Sequence, residues 1–136
     1  MKKDEHGWDE FRAQESKIFN EVIEKHGDDG YVFSTGGGIV ESSDARKALQ
    51  RFAASGGVVL HLHRDIEETI VFLQSDPSRP AYVEEIREVW ERRETWYNEC
   101  SNFTFFAPHC SDEVQFQNLR RAFENYISTI TGVREV

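Results

Sequence analysis

The chain has 136 residues, 38% hydrophobic and 30% charged, which fits one globular domain and argues against a disordered chain. Its net charge of -9 repels phosphate backbones and weighs against nucleic-acid binding, and no apolar run approaches the ~20 residues that span a bilayer. The opening MKKDEHGW is charged with no apolar core, so no signal peptide and a cytoplasmic location are expected.

Trp8, Phe11, Ile18, Phe19, Val22 and Ile23 recur at three- and four-residue steps and predict a first helix over 8–26, stopped by Gly27 and Gly30. Tyr31-Val32-Phe33 reads as a short buried strand that runs into Ser34-Thr35-Gly36-Gly37-Gly38. Ser42, Ser43 or Asp44 is placed to cap a second helix carrying Ala45, Ala48, Leu49 and Phe52, ended by Gly56-Gly57. Val58 to His63 is the clearest strand, and Asp65 caps a helix bearing Ile66, Ile70, Val71 and Leu73.

Ser75 to Pro80, with two prolines, marks an exposed loop. A long helix follows from about Glu84 to Tyr97, then a third strand at Phe103–Phe106 and a last helix from about Asp112, ended by Gly132. Strands alternating with helices predict an α/β fold in which helices flank a three-stranded parallel sheet. Cys100 and Cys110 show no CxxC or Cys/His spacing and read as reduced thiols. His61 and His63 share one face of a strand, but without a third ligand they predict no metal site.

Three groups of residues are candidates for chemistry. Gly36, Gly37 and Gly38 follow a strand, where α/β sheets bind ligands, and three glycines allow unusual backbone angles and close approach of backbone N–H groups. Arg12 lies four residues after Trp8, and Arg93 lies four after Val89 and three before Trp96, so both face inward or toward a rim. An inward arginine needs a partner, either an internal carboxylate such as Glu15 or an anionic ligand that it grips with two parallel hydrogen bonds. Arg79 sits in the proline-bounded loop, solvated unless that loop closes. Glu84, Glu85, Glu88, Glu91 and Glu94 with Arg87 and Arg92 read as a solvated face laced with ion pairs, and no chemistry is assigned to them.

Taken together these residues resemble shikimate kinase. The family's second phosphate-site motif is matched by Val32-Phe33-Ser34-Thr35-Gly36-Gly37-Gly38, its Phe-Arg-x-x-Glu helix by Phe11-Arg12-Ala13-Gln14-Glu15, its lid Arg-Pro by Arg79-Pro80, and its last substrate arginine by Arg93-Glu94-Thr95-Trp96-Tyr97. Gly-Gly-Gly-Ile-Val-Glu, Arg-Pro-Ala-Tyr, Arg-Arg-x-x-Trp and Glu-Cys-Ser-Asn resemble the kinase domain of the fungal pentafunctional AROM polypeptide, and equally the related quinate repressor. The resemblance implies that Arg12 and Arg93 hold the carboxylate of shikimate or quinate. It implies that Gly36, Gly37 and Gly38 position the ring hydroxyls, and that Arg79 closes from a lid at about 76–84 toward the phosphates.

The chain departs from the family at its nucleotide end. No GxxxxGK[ST] occurs, and the acidic residue that follows the family's second strand has no match. Thr95 replaces a proline, and Phe72 stands where many members carry an arginine over adenine. The expectation is a single truncated domain over 1–136 that keeps the shikimate subsite and holds neither ATP nor Mg²⁺ by itself, although a complete member uses both. Two rivals accompany it. One is a sensing domain of the quinate-repressor type, with a nuclear location open to it. The other is a scaffold without a ligand, whose mark would be Arg12 and Arg93 locked on internal carboxylates. Other AROM-like domains are implied as partners. The family's central first strand has no counterpart here, and exposed strand edges invite association. The isolated chain is therefore expected to self-associate or to melt without cooperativity, and a tightly folded monomer in light scattering would contradict this.

Overall fold

The computed structural model describes residues 5–76, 78, 83–107 and 111–131. Its elements are α1 (Glu5–His26), a 3-10 helix (Gly37–Glu41), α2 (Ser43–Ala54), β1 (Leu60–His63), α3 (Ile66–Gln74), α4 (Val83–Cys100), β2 (Phe103–Phe106) and α5 (Asp112–Thr131). They fall into two compact units, Met1–Val59 with Glu88–Asn102, and Leu60–Arg87 with Phe103–Val136.

The first unit is built around the segment that follows the glycines. Ile39 and Val40, on the 3-10 helix, are buried with Phe19 of α1 and Ala45 and Ala48 of α2. Ile23, Leu49, Trp96 and Tyr97 close over that cluster from α1, α2 and α4. Local chemistry fixes the ends of these elements. Lys25 and His26 lie in the last turn of α1, where positive charge suits the helix dipole, and the Gly27 N–H donates to the Ile23 carbonyl at 2.8 Å. Of the three predicted caps for α2, Ser42 fills the role: its side chain accepts from the Ala45 N–H at 3.3 Å. Beyond α2 the backbone turns at Gly56, whose φ of 103° few other residues adopt. Asn102 then ties two chain segments together, its Oδ1 accepting from the Val59 N–H at 2.7 Å and its Nδ2 donating to the Gly57 carbonyl at 2.8 Å.

In the second unit β1 and β2 pair in parallel, with Leu60 opposite Phe103 and His63 opposite Phe106. Parallel strands need a long connection, and the chain between these two holds α3 and α4. Asp65 caps α3 as expected, accepting from the N–H groups of Glu67 at 3.0 Å and Glu68 at 3.2 Å. Phe103 stacks on Tyr126 of α5 with ring centroids 4.8 Å apart. His61 and His63 do share one face, their rings 5.7 Å apart; burial, and then the charge of His63, hold the His61 imidazole below its ordinary value.

The predicted three-stranded sheet is corrected to two strands among the described residues. Residues 31–36 form no ladder, and Val32, read as buried, is 98% exposed. A strand is a property of a pair: without a neighbour for its N–H and C=O groups, an apolar extended tripeptide stays irregular whatever its side chains prefer. The longer strand read from Val58 is shortened to Leu60–His63, although the Val59 carbonyl still accepts from the Asn102 N–H at 3.1 Å. Cys100 is a buried free thiol, while Cys110, Arg79 and the helix stop at Gly132 lie outside the described residues.

Val40 is 2% exposed, so truncating it to alanine removes two buried methyl groups and leaves a void. Val40→Ala is expected to lower unfolding free energy by about 2 kcal/mol in chemical denaturation.

Candidate functional site

The 3-10 helix places Gly36 to Glu41 between α1 on one side and the end of α4 on the other. The glycines are there for closeness, not for unusual angles: none of the three has a positive φ, and Gly36 is extended at φ -65°, ψ 150°. A Cβ on Gly38 would collide with the guanidinium of Arg12. One on Gly37 would stand 3.0 Å from the Tyr97 hydroxyl and 3.9 Å from Arg93 Nη1, and one on Gly36 would lie 3.7 Å from Glu15 Oε2. The bare backbone is what lets Arg12 and Tyr97 crowd onto the turn, while Arg93 stands at ordinary contact distance.

Of the predicted arginines, Arg12 is held by Glu15, and Arg93 shares Glu41 with Arg92. Arg12 Nη1 donates to Glu15 Oε1 at 2.8 Å, and its guanidinium lies 5.2 Å from the Trp8 ring centroid and 5.3 Å from that of Phe11. Arg93 Nε donates to Glu41 Oε1 at 3.3 Å. A scaffold without a ligand would lock both arginines in this way, and that mark is partly met. Among the described residues, one nitrogen of each guanidinium is engaged by a carboxylate, out of the five N–H donors that each carries.

The sequence singled out Arg12, Gly36, Gly37, Gly38 and Arg93, and the first unit brings these five together. Sequence reasoning missed Glu41, Arg92 and the role of Tyr97. Arg92, read as part of a solvated face, donates from Nε and Nη2 to Glu41 Oε1 at 3.0 and 2.6 Å. The pairing spans 51 residues of sequence and left no local signal. Tyr97 was legible in principle: it lies one turn after Arg93, and its hydroxyl donates to the Gly37 carbonyl at 2.6 Å. Arg46 supports the turn from below, donating to the Val40 carbonyl at 2.6 Å with its guanidinium 4.3 Å from the Trp96 ring.

Arg12 pairs with Glu15, while Arg92 and Arg93 share Glu41, and Glu88 also acts on Arg92. Burial alone would push the Glu41 carboxyl up, but hydrogen bonds and charges from Arg92 and Arg93 outweigh it and hold the group below its ordinary 4.5. Magnesium takes oxygen ligands in near-octahedral geometry, and both carboxylates at the turn are already engaged by arginine, so this donor set does not fit it.

A carboxyl held below its ordinary value stabilises the fold above that value and stops doing so as pH falls through the lowered one. Glu41→Gln is expected to cost about 1–2 kcal/mol near neutral pH. The gap from the parent chain should close below about pH 4.5 as Glu41 itself takes up a proton. Urea unfolding across pH measures this, and a gap that persists at low pH would contradict it.

Comparison with known proteins shows the family. The family description "Shikimate kinase" matches residues 3–131. The chain is 76% identical over 132 residues to the pentafunctional AROM polypeptide of Saccharomyces cerevisiae, 70% to that of Candida glabrata and 67% to that of Kluyveromyces lactis. Each alignment covers 97% of this chain and 8% of the relative, so the chain spans a small part of the polypeptides it matches. The chain belongs to the shikimate kinase family.

Proposed function

We propose that these 136 residues carry the acid-binding part of a shikimate kinase domain and that the carboxylate of shikimate, or of quinate, sits at the glycine turn. One observation supports this above the others: Arg12 and Arg93 approach Gly38 and Gly37 from different helices, with donor groups left over after each has bonded a carboxylate. Paired guanidinium donors suit a planar carboxylate.

The nucleotide side belongs to other sequence. The phosphate-cradling GxxxxGK[ST] does not occur in these residues, so the chain is proposed to be inactive alone, with its fold completed by a further strand from outside it. In a longer polypeptide the bound acid would present its 3-hydroxyl to the γ-phosphoryl group of ATP. Arg79 would then close from the loop at about 76–84 and offset charge on the transferring group. Within that loop the Ser78 N–H and hydroxyl donate to Asp76 Oδ1 at 2.9 and 2.6 Å. A regulatory domain that senses shikimate or quinate without turnover would use the same acid site.

Calorimetric titration with shikimate, with and without ATP–Mg²⁺, tests the reading. Binding that ignores ATP and is weakened at least tenfold in Arg93→Ala is the expected result. Gly38→Ala should weaken it too, because its methyl group displaces the Arg12 guanidinium, while the melting temperature changes little. No binding by the parent chain would overturn the acid site.

A further inference from the structure

Resting on that reading of the acid site, we propose that Glu41 is a positioning residue: it sets which edge of the Arg93 guanidinium meets the ligand.

A guanidinium offers a carboxylate two edges, one through Nε and a terminal nitrogen, the other through the two terminal nitrogens. In Arg93 the Nε is occupied by Glu41 Oε1 at 3.3 Å. The edge left over is the terminal one, and its Nη1 is the atom that lies 3.9 Å from where a Cβ on Gly37 would stand. Glu41 is itself held firmly. Its Oε1 accepts from Arg92 at 3.0 and 2.6 Å, and its Oε2 accepts from Arg92 Nε at 3.3 Å. Its backbone ends the 3-10 helix, directly after the buried Ile39 and Val40. The order of support therefore runs from the core to Glu41, and from Glu41 to Arg93.

Burial makes this arrangement matter. The side chains of Glu41 and Arg93 are 17% and 23% exposed, so water competes weakly for their contact, whereas Arg92 at 46% serves as the outer brace. Without Glu41, Arg93 would recover the rotamer freedom of a long side chain and present either edge, and binding would bear that ordering cost. The same geometry admits an opposite role, in which Glu41 competes with the ligand for Arg93. The two roles predict opposite signs, and the terminal-edge geometry favours positioning.

The test is a double-mutant cycle read by shikimate titration on the full 136-residue chain: parent, Glu41→Gln, Arg93→Ala and both together, each checked for folding by circular dichroism. The expected result is roughly tenfold weaker binding in Glu41→Gln, and no further loss when it is added to Arg93→Ala. Unchanged or tighter binding in Glu41→Gln overturns the positioning role and leaves the acid site standing. An additive loss in the double variant overturns it as well, since Glu41 would then act without Arg93. No binding by the parent chain sinks the acid site and this role together. A second measurement needs no variant: the Arg93 Nε–H resonance of the ligand-free parent should exchange slowly with water, and fast exchange counts against the proposal.

Discussion

Burial of Ile39 and Val40 is the constraint on which the first unit depends. These two residues follow the glycines without a break, and they enter a cluster formed by Phe19, Ala45 and Ala48. A turn of three glycines would otherwise be among the most mobile segments of a chain. Anchored by its apolar continuation, it becomes a fixed floor. Packing sets its position, and the hydrogen bonds from Arg46 to Val40 and from Tyr97 to Gly37 tie down carbonyl groups at its lower and upper ends.

Charge is arranged on that floor rather than spread over it. An acidic chain gathers three arginines at one place and supplies two carboxylates to hold them. Full neutralisation would give a closed salt-bridge network, useful for structure alone. Glutamates beside the glycines are what keep like charges from repelling one another apart.

The two strands show the opposite situation. β1 and β2 pair with one another over four residues each, and a two-stranded sheet is marginal unless helices cover it. α5 supplies part of that cover through the stack of Phe103 on Tyr126. In the AROM polypeptides the region that matches this chain makes up 8% of the length.

Local chemistry was legible in the sequence. Periodicity located the helices, Asp65 and Ser42 marked two helix starts, and the spacing of Phe11-Arg12 and Arg93 picked out inward arginines, because each of these signals acts over three or four residues. The glycine run marked a turn onto which other side chains close, and its reason proved to be close approach rather than backbone angle. Tertiary structure alone decided the rest. Whether Tyr31-Val32-Phe33 became a strand depended on a neighbour that its own residues do not specify. The pairing of Glu41 with Arg92 and Arg93 spans 51 and 52 residues, and no local pattern encodes it. Side chains choose partners in space, and only the packed 3-10 helix brings that carboxylate to those guanidinium groups.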